Sequence, residues 1–266
     1  MDKDHLNILC IGDVVGEPGR TLIAKHYQRI IKIHDIDFSI LNIENAAHGI
    51  GFTKKTYQEL IIYGIDAFTS GNHVYRKKEI VEDFDDFKKL VRPWNFPPNN
   101  PGQGYRIFTV KNLKIAVVNL IGRVFLGLAD CPFQLMQNKI ADLKKEADII
   151  LVDMHAEATS EKQALGWMLD GQVNAVYGTH THVQTTDSRI LPNHTAYITD
   201  VGMVGAKNSI LGMQKEEIVQ KFLNQMPVKF SPPDTNNVLF NALKLTIDIH
   251  SKKTIKVETI NQDYLI

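Results

Sequence analysis

Short apolar, β-branched runs recur along the chain, and each ends on a polar cluster. The clearest cover residues 8–11, 38–43, 67–69, 149–152 and 175–177. Runs of this length bounded by turn residues read as buried strands. Between them the spacing changes. From residue 20 to 33, Ile23, Tyr27, Ile30 and Ile31 fall at i, i+4, i+7 and i+8, one face of a helix. Thr53 is placed to cap a second helix whose inner face carries Tyr57, Leu60 and Ile61, and Gly64 ends it. Further helices are expected over 77–90, rich in Asp and Lys and therefore largely solvated, over 134–145, and from a Thr159 or Ser160 cap to Asp170-Gly171.

Residues 92–104 carry four prolines with Asn and Gly and read as a long irregular loop. Hairpins are expected for 105–110 with 114–120 around Lys111-Asn112, and for 189–191 with 195–199 around Pro192-Asn193. The tail, 237–250 and 254–259, reads as two long strands whose apolar content fits either core or a homo-oligomer interface. A βαβα order that gives way to hairpins predicts an α/β fold with two packed mixed sheets and helices on their outer faces, a four-layer α/β/β/α sandwich. One domain spanning 1–266 is expected, with a small lid in the loop-like segments 121–137 and 203–232.

Composition narrows the class. A chain of 266 residues buries a core without staples, and 44% hydrophobic with 23% charged residues is ordinary for a globular protein. Lys plus Arg and Asp plus Glu are 30 each, so no net field favours long nucleic acid. Cys10 sits in the first apolar run and Cys131 before a proline, with no zinc or redox spacing, as in a reducing compartment. The opening Met-Asp-Lys-Asp-His lacks a signal-peptide core, and no apolar stretch approaches the ~20 residues of a membrane helix. A cytoplasmic protein without a membrane partner is the expectation.

The polar clusters at the strand exits carry the chemistry. They are Gly12-Asp13, Asn42-Ile43-Glu44-Asn45, Gly71-Asn72-His73, Asp153-Met154-His155 and Gly178-Thr179-His180-Thr181-His182. Open α/β sheets place their sites at such exits. Asp13, Glu44, Asn45, Asn72, His155, His180 and His182 form a mixed N/O donor set without thiolate, suited to Fe, Mn or Zn. A single catalytic metal needs about three protein ligands. Seven fit a pair sharing one carboxylate, which could bind both the attacking and the leaving oxygen at phosphorus and lower the pKa of a bound water. Taken singly, each cluster also reads as a cap or turn; together, five in one position relative to a strand read as a site.

These motifs resemble the calcineurin-like metallophosphoesterases. More closely, Gly12-Asp13-Val14-Val15-Gly16, Asn42-Ile43-Glu44-Asn45-Ala46-Ala47-His48-Gly49, His155-Ala156-Glu157-Ala158-Thr159-Ser160-Glu161-Lys162, Gly178-Thr179-His180-Thr181-His182-Val183-Gln184-Thr185 and Ile198-Thr199-Asp200-Val201-Gly202-Met203 resemble the YmdB-like branch. Two departures from the wider superfamily are shared with that branch. Val15 replaces the usual His of Asp-x-His, and Glu44 replaces a bridging Asp, with Asn45 filling the vacated place. The resemblance implies Asp13, Glu44, Asn45 and His182 on one metal, and Glu44, Asn72, His155 and His180 on the other. It implies His73 as the acid that protonates the leaving oxygen, iron often in the site, and hydrolysis of small phosphodiesters, including cyclic nucleotides such as 2',3'-cyclic AMP.

Several residues carry weaker readings. His5, His26, His34, His194 and His250 read as surface or structural, and His48 as the same unless it faces substrate. Asp153, two residues before His155, is expected to point to the opposite face as a structural carboxylate. Asp200 and Glu157 are candidates for orienting the imidazoles. Arg92, Asn95 and Arg123 read either as phosphate contacts or as capping and salt-bridge residues. A phosphomonoesterase or protein phosphatase on the same core remains an alternative, as does a nucleotide-sensing regulator that retains its metals.

Overall fold

The computed structural model describes residues 4–266; the first three, part of the stretch read above for a targeting signal, lie outside them. Strands run β1 (His5–Val14), β2 (Phe38–Asn42), β3 (Ala67–Thr69), β4 (Tyr105–Val110), β5 (Leu113–Ile121), β6 (Ile149–His155), β7 (Ala175–Thr179), β8 (Arg189–Ile190), β9 (Ala196–Ile198), β10 (Met203–Ala206), β11 (Asn237–Asp248) and β12 (Thr254–Leu265). Helices are α1 (Gly16–Ile33), α2 (Lys54–Ile61), α3 (Lys78–Glu82), α4 (Pro132–Glu146), α5 (Thr159–Met168) and α6 (Lys215–Asn224).

The strands form two six-stranded mixed sheets, ordered β12-β11-β10-β1-β2-β3 and β4-β5-β6-β7-β9-β8. Between them lie Ile8, Cys10, Phe38 and Ile40 of the first sheet against Ile115, Leu151, Tyr177 and Ile198 of the second. The outer face of the first sheet is covered by α1 and α2 through Leu22, Ile23, Tyr57 and Leu60, and that of the second by α4 and α5 through Met136, Leu143 and Leu165. This is the α/β/β/α sandwich. Strands such as β1 and β6 are buried along almost their whole length, which is why they read as continuous apolar runs.

Local chemistry explains where elements begin and turn. Thr53 caps α2 with a reciprocal capping box to Thr56. Lys111 and Asn112 both take positive φ, the twist a two-residue hairpin requires. The C-terminal pair resolves toward core for β11, whose Phe240, Leu243 and Leu245 are buried, while β12 is an edge strand carrying Lys256, Glu258 and Asp263.

Three expectations need correction. The helix over 77–90 shrinks to α3 plus a single 3₁₀ turn at Phe84–Asp86, because Phe84 and Phe87 turn inward to pack on each other and on Phe52 and Tyr57. The stretch is largely solvated, as expected, with Ile80, Phe84, Phe87 and Leu90 as its buried positions. The start of α5 is not capped by Thr159 or Ser160: the N-cap is Ala158, without a side-chain bond. Residues 203–206 are not loop-like but form β10, inserted between β1 and β11.

Candidate metal centre

Each donor lies at the carboxyl end of a parallel strand. Asp13 is in the last residues of β1, where pairing with β2 slips between Ile11 and Asp13, an irregularity that re-aims a side chain. Glu44 and Asn45 follow β2 in a turn tied by the Glu44 N–H donating to Asn42 Oδ1 at 3.1 Å. Asn72 and His73 follow β3, His155 ends β6, and His180 and His182 follow β7. The carboxylates and amides therefore hang from the first sheet, and the three imidazoles of the donor set from the second.

Glu44, fully buried, is the centre. Its Oε1 lies 3.1 Å from His155 Nε2, which is in turn 3.0 Å from Asn72 Oδ1 and 3.1 Å from His180 Nδ1. Glu44, His155 and His180 offer ligand atoms that all fall within 4.8 Å of one another. On the other side of Glu44, Asn45 Nδ2 is 3.4 Å from Oε1 and 3.0 Å from His182 Nε2, and His182 Nε2 is 3.9 Å from Asp13 Oδ1. Donor atoms about 3 Å apart are what neighbouring ligands span around one cation at bond lengths of ~2.1 Å. Asp13 Oδ1 is buried with no hydrogen-bond partner. Gly71 is also diagnostic: a Cβ there would stand 2.2 Å from His155 Cδ2 and 2.3 Å from Glu44 Oε2. The donor set fits metal, with one detail to add. Asn45 turns its amide nitrogen inward and its oxygen toward His73, so it would ligate in the reversed orientation, which occupies the same space.

The far nitrogens of all three imidazoles are held. His155 Nδ1 is 2.9 Å from Thr179 Oγ1, His180 Nε2 is 3.1 Å from Glu157 Oε2, and His182 Nδ1 is 2.9 Å from the Leu211 carbonyl oxygen. Such outer partners set the tautomer and aim the inner nitrogen. Thr179 in turn donates to Asp153 Oδ1 at 2.7 Å, and Asp153 also receives Thr69 Oγ1 from the first sheet. Asp153 thus shares a face with His155, contrary to expectation, as residues two apart in a strand must.

Asp200 touches no imidazole. It accepts from both N–H and Oγ1 of Thr181, at 3.0 and 2.7 Å, and so pins the residue between His180 and His182, both of which take positive φ. Lys162, equally buried, pairs with it at 2.8 Å. His73 faces the same cleft, with Nδ1 at 2.9 Å from Asn45 Oδ1 and 3.3 Å from Glu44 Oε1, and its N–H donating to Glu44 Oε2.

Burial pushes the Asp13 carboxyl up. It acts alike on Glu44, but His155 and His73 hold that carboxyl well below the usual range. Burial alone would lower His155; Glu44, then Asp13 and Asp153, raise it to about 9. Burial and His155 together push His180 down to about 3. One cation at the centre would answer these opposed demands at once.

Other candidates fall away. Arg92 donates to the carbonyl oxygens of Pro93, Trp94 and Asn100, and Asn95 clamps Ile121 and Asp130, so both are occupied by backbone. His48 does not line the donor cleft. That cleft, about 450 Å³, is closed on its other side by an apolar wall from 210–230, where α6 lies. Lys162, Thr179 and the helix α6 were not anticipated, whereas the wall itself lies within 203–232, a segment expected to carry a lid.

A profile of the YmdB-like protein family matches residues 9–260. The chain belongs to the YmdB-like family. A relative, the 2',3'-cyclic-nucleotide 2'-phosphodiesterase of Bacillus subtilis (strain 168), is 47% identical over 262 residues, covering 98% of this chain and 99% of that protein. Among solved structures, a novel phosphatase from Mycoplasma pneumoniae superposes with a TM-score of 0.91 at 34% identity, covering 98% and 94% of the two chains. A hypothetical protein from Thermus thermophilus gives 0.90 at 36%, covering 97% and 100%. In this YmdB-like chain Val15, where the wider superfamily has a ligand, packs against Gly205 and Gly212, at whose positions a Cβ would stand 3.2 and 2.5 Å from its side chain.

Proposed function

We propose that the chain is a metal-dependent phosphodiesterase that hydrolyses small cyclic nucleotides of the 2',3' type. The observation that carries this is the held far nitrogen on each of His155, His180 and His182, with the near nitrogens converging on Glu44, Asn45, Asn72 and Asp13. The activity of the Bacillus subtilis relative supports the substrate class. Two metals are proposed, one on Asp13, Glu44, Asn45 and His182, the other on Glu44, Asn72, His155 and His180. Iron is favoured, with manganese and zinc as alternatives for the same donors.

Paired metals would stabilise charge on phosphorus and make hydroxide available near neutral pH. The chain's own residues do the rest. Glu44 is shared between the two donor groups. His73 engages Asn45 through Nδ1, which leaves Nε2 to carry the proton given to the departing ribose oxygen. The apolar wall borders one side of the cleft. A cytoplasmic location suits the two free cysteines, and no helix among the described residues is long and apolar enough to cross a membrane.

The test is elemental analysis of the purified protein, with the same sample assayed against 2',3'-cyclic AMP, bis(p-nitrophenyl) phosphate and p-nitrophenyl phosphate. About two metals per chain and diester turnover abolished by chelation are expected. Preference for the monoester would replace the reading with a phosphatase. Failure to bind Fe, Mn or Zn would remove the metal site.

A further inference from the structure

A second cavity, of about 550 Å³, adjoins the donor cleft and shares Ile50 and Phe230 with it. Its chemistry is the opposite of the donor cleft's. Arg76, Lys77 and Lys229 line it, His48 joins them, and no acidic residue does. Among the described residues, none of these three cations has a carboxylate partner within 4.0 Å. The three cations give this cavity a positive lining in a chain whose net charge is zero.

The backbone that carries Arg76 and Lys77 is packed against the catalytic turn. Arg76 donates its N–H to the His73 carbonyl oxygen at 2.9 Å, one turn from the proposed acid. Gly51, at φ +73, lets the Glu44 loop lie directly on Arg76 and Lys77, where a Cβ would stand 3.1 Å from Arg76 Cβ. Between the donors and the cations stands an apolar surface, Ile50 and Phe230, with Lys221 4.9 Å above the Phe230 ring.

Resting on the phosphodiesterase reading, we propose that the second cavity binds a second phosphate of the substrate. The preferred substrate is then a nucleoside 2',3'-cyclic phosphate that also carries phosphate at its 5' end, as the last residue of a short nucleotide chain does. The cyclic phosphate meets the donors, the nucleoside lies on Ile50 and Phe230, and the 5'-phosphate meets Arg76, Lys77 and Lys229. A substrate with one phosphate leaves the cations uncompensated.

The test uses product analogues with the metal-loaded protein. Dissociation constants of adenosine 3'-phosphate and adenosine 3',5'-bisphosphate are measured by calorimetry between about 50 and 200 mM salt. The bisphosphate is expected to bind about tenfold more tightly or better, with the steeper salt dependence. Combining Arg76→Ala, Lys77→Ala and Lys229→Ala should collapse that ratio to below about twofold. The charge-matched control, Lys139→Ala, Lys145→Ala and Lys256→Ala, should keep it. The kcat/KM ratio for 5'-phosphorylated against plain 2',3'-cyclic AMP should follow the binding ratio. Equal affinities in the wild type, or an unchanged ratio in the first triple variant, overturn the proposal while plain cyclic AMP is still turned over. No turnover of either substrate overturns the phosphodiesterase reading instead, and the affinity ratio still decides the second site. A dinucleotide ending in 3'-phosphate, run alongside, shows whether the cavity takes a terminal monoester or an internucleotide phosphate.

Discussion

Lys162 Nζ and Asp200 Oδ2 meet at 2.8 Å with both side chains sealed from solvent, directly beneath the turn that carries His180 and His182. A buried ion pair is weak evidence of stability, but breaking one by removing a single partner leaves an uncompensated charge. Lys162→Met should therefore destabilise the fold by about 3–5 kcal/mol, whereas Lys162→Met with Asp200→Asn should recover much of that. Denaturant titration of the single and double variants checks it. A single variant within about 1 kcal/mol of wild type would show the pair to be expendable.

His73→Asn should lower kcat by about 10²–10⁴ while metal content stays at the wild-type level. Elemental analysis beside steady-state kinetics separates the two effects. Full activity sinks the acid role, and lost metal would make His73 a ligand.

Gly71→Ala places a methyl group where His155 and Glu44 already stand. Metal affinity should fall about 10–100-fold, by the same mechanism through which displaced outer contacts weaken metal sites. Competition with a chromogenic chelator measures it, and unaltered affinity would contradict so crowded a site.

Glu157→Gln keeps the shape of the side chain but removes the charge facing His180 Nε2. A loss of about tenfold in activity or metal affinity is expected, smaller than for Gly71→Ala because Glu157 is half exposed. Substitution of Glu161, which holds the N–H groups of Arg123 and Val124 and touches no imidazole, controls for general loosening of that loop.

The donor positions are legible because each follows a short apolar run and is itself a residue type that costs energy to bury without a purpose. His155 and Glu44 stand out for that reason even in one sequence. Thr179 and Lys162 do not. A threonine at the end of a strand and a lysine in the first turn of a helix are ordinary, and only the pairing of β6 with β7 and the packing of α5 on that same sheet bring them against Asp153 and Asp200. The two errors of element type have different causes, one local and one tertiary. The strand Met203–Ala206 is hidden by Gly202 and Gly205, which dilute its apolar signal. The helix over 77–90 is overridden by packing of Phe87 on Phe52 and Tyr57, a tertiary contact no window of sequence contains.

One further consequence lies in how the donors are shared out. Asp13, Glu44, Asn45 and Asn72 belong to one sheet and His155, His180 and His182 to the other. Neither half is a complete coordination sphere, so a cation held by both would act as a rivet through the rim of the sandwich. Parting of the layers at that rim and escape of the ion would become a single event. The thermal midpoint should then climb with free metal concentration as mass action requires, and the enzyme's resistance to unfolding would report how well it is charged for catalysis.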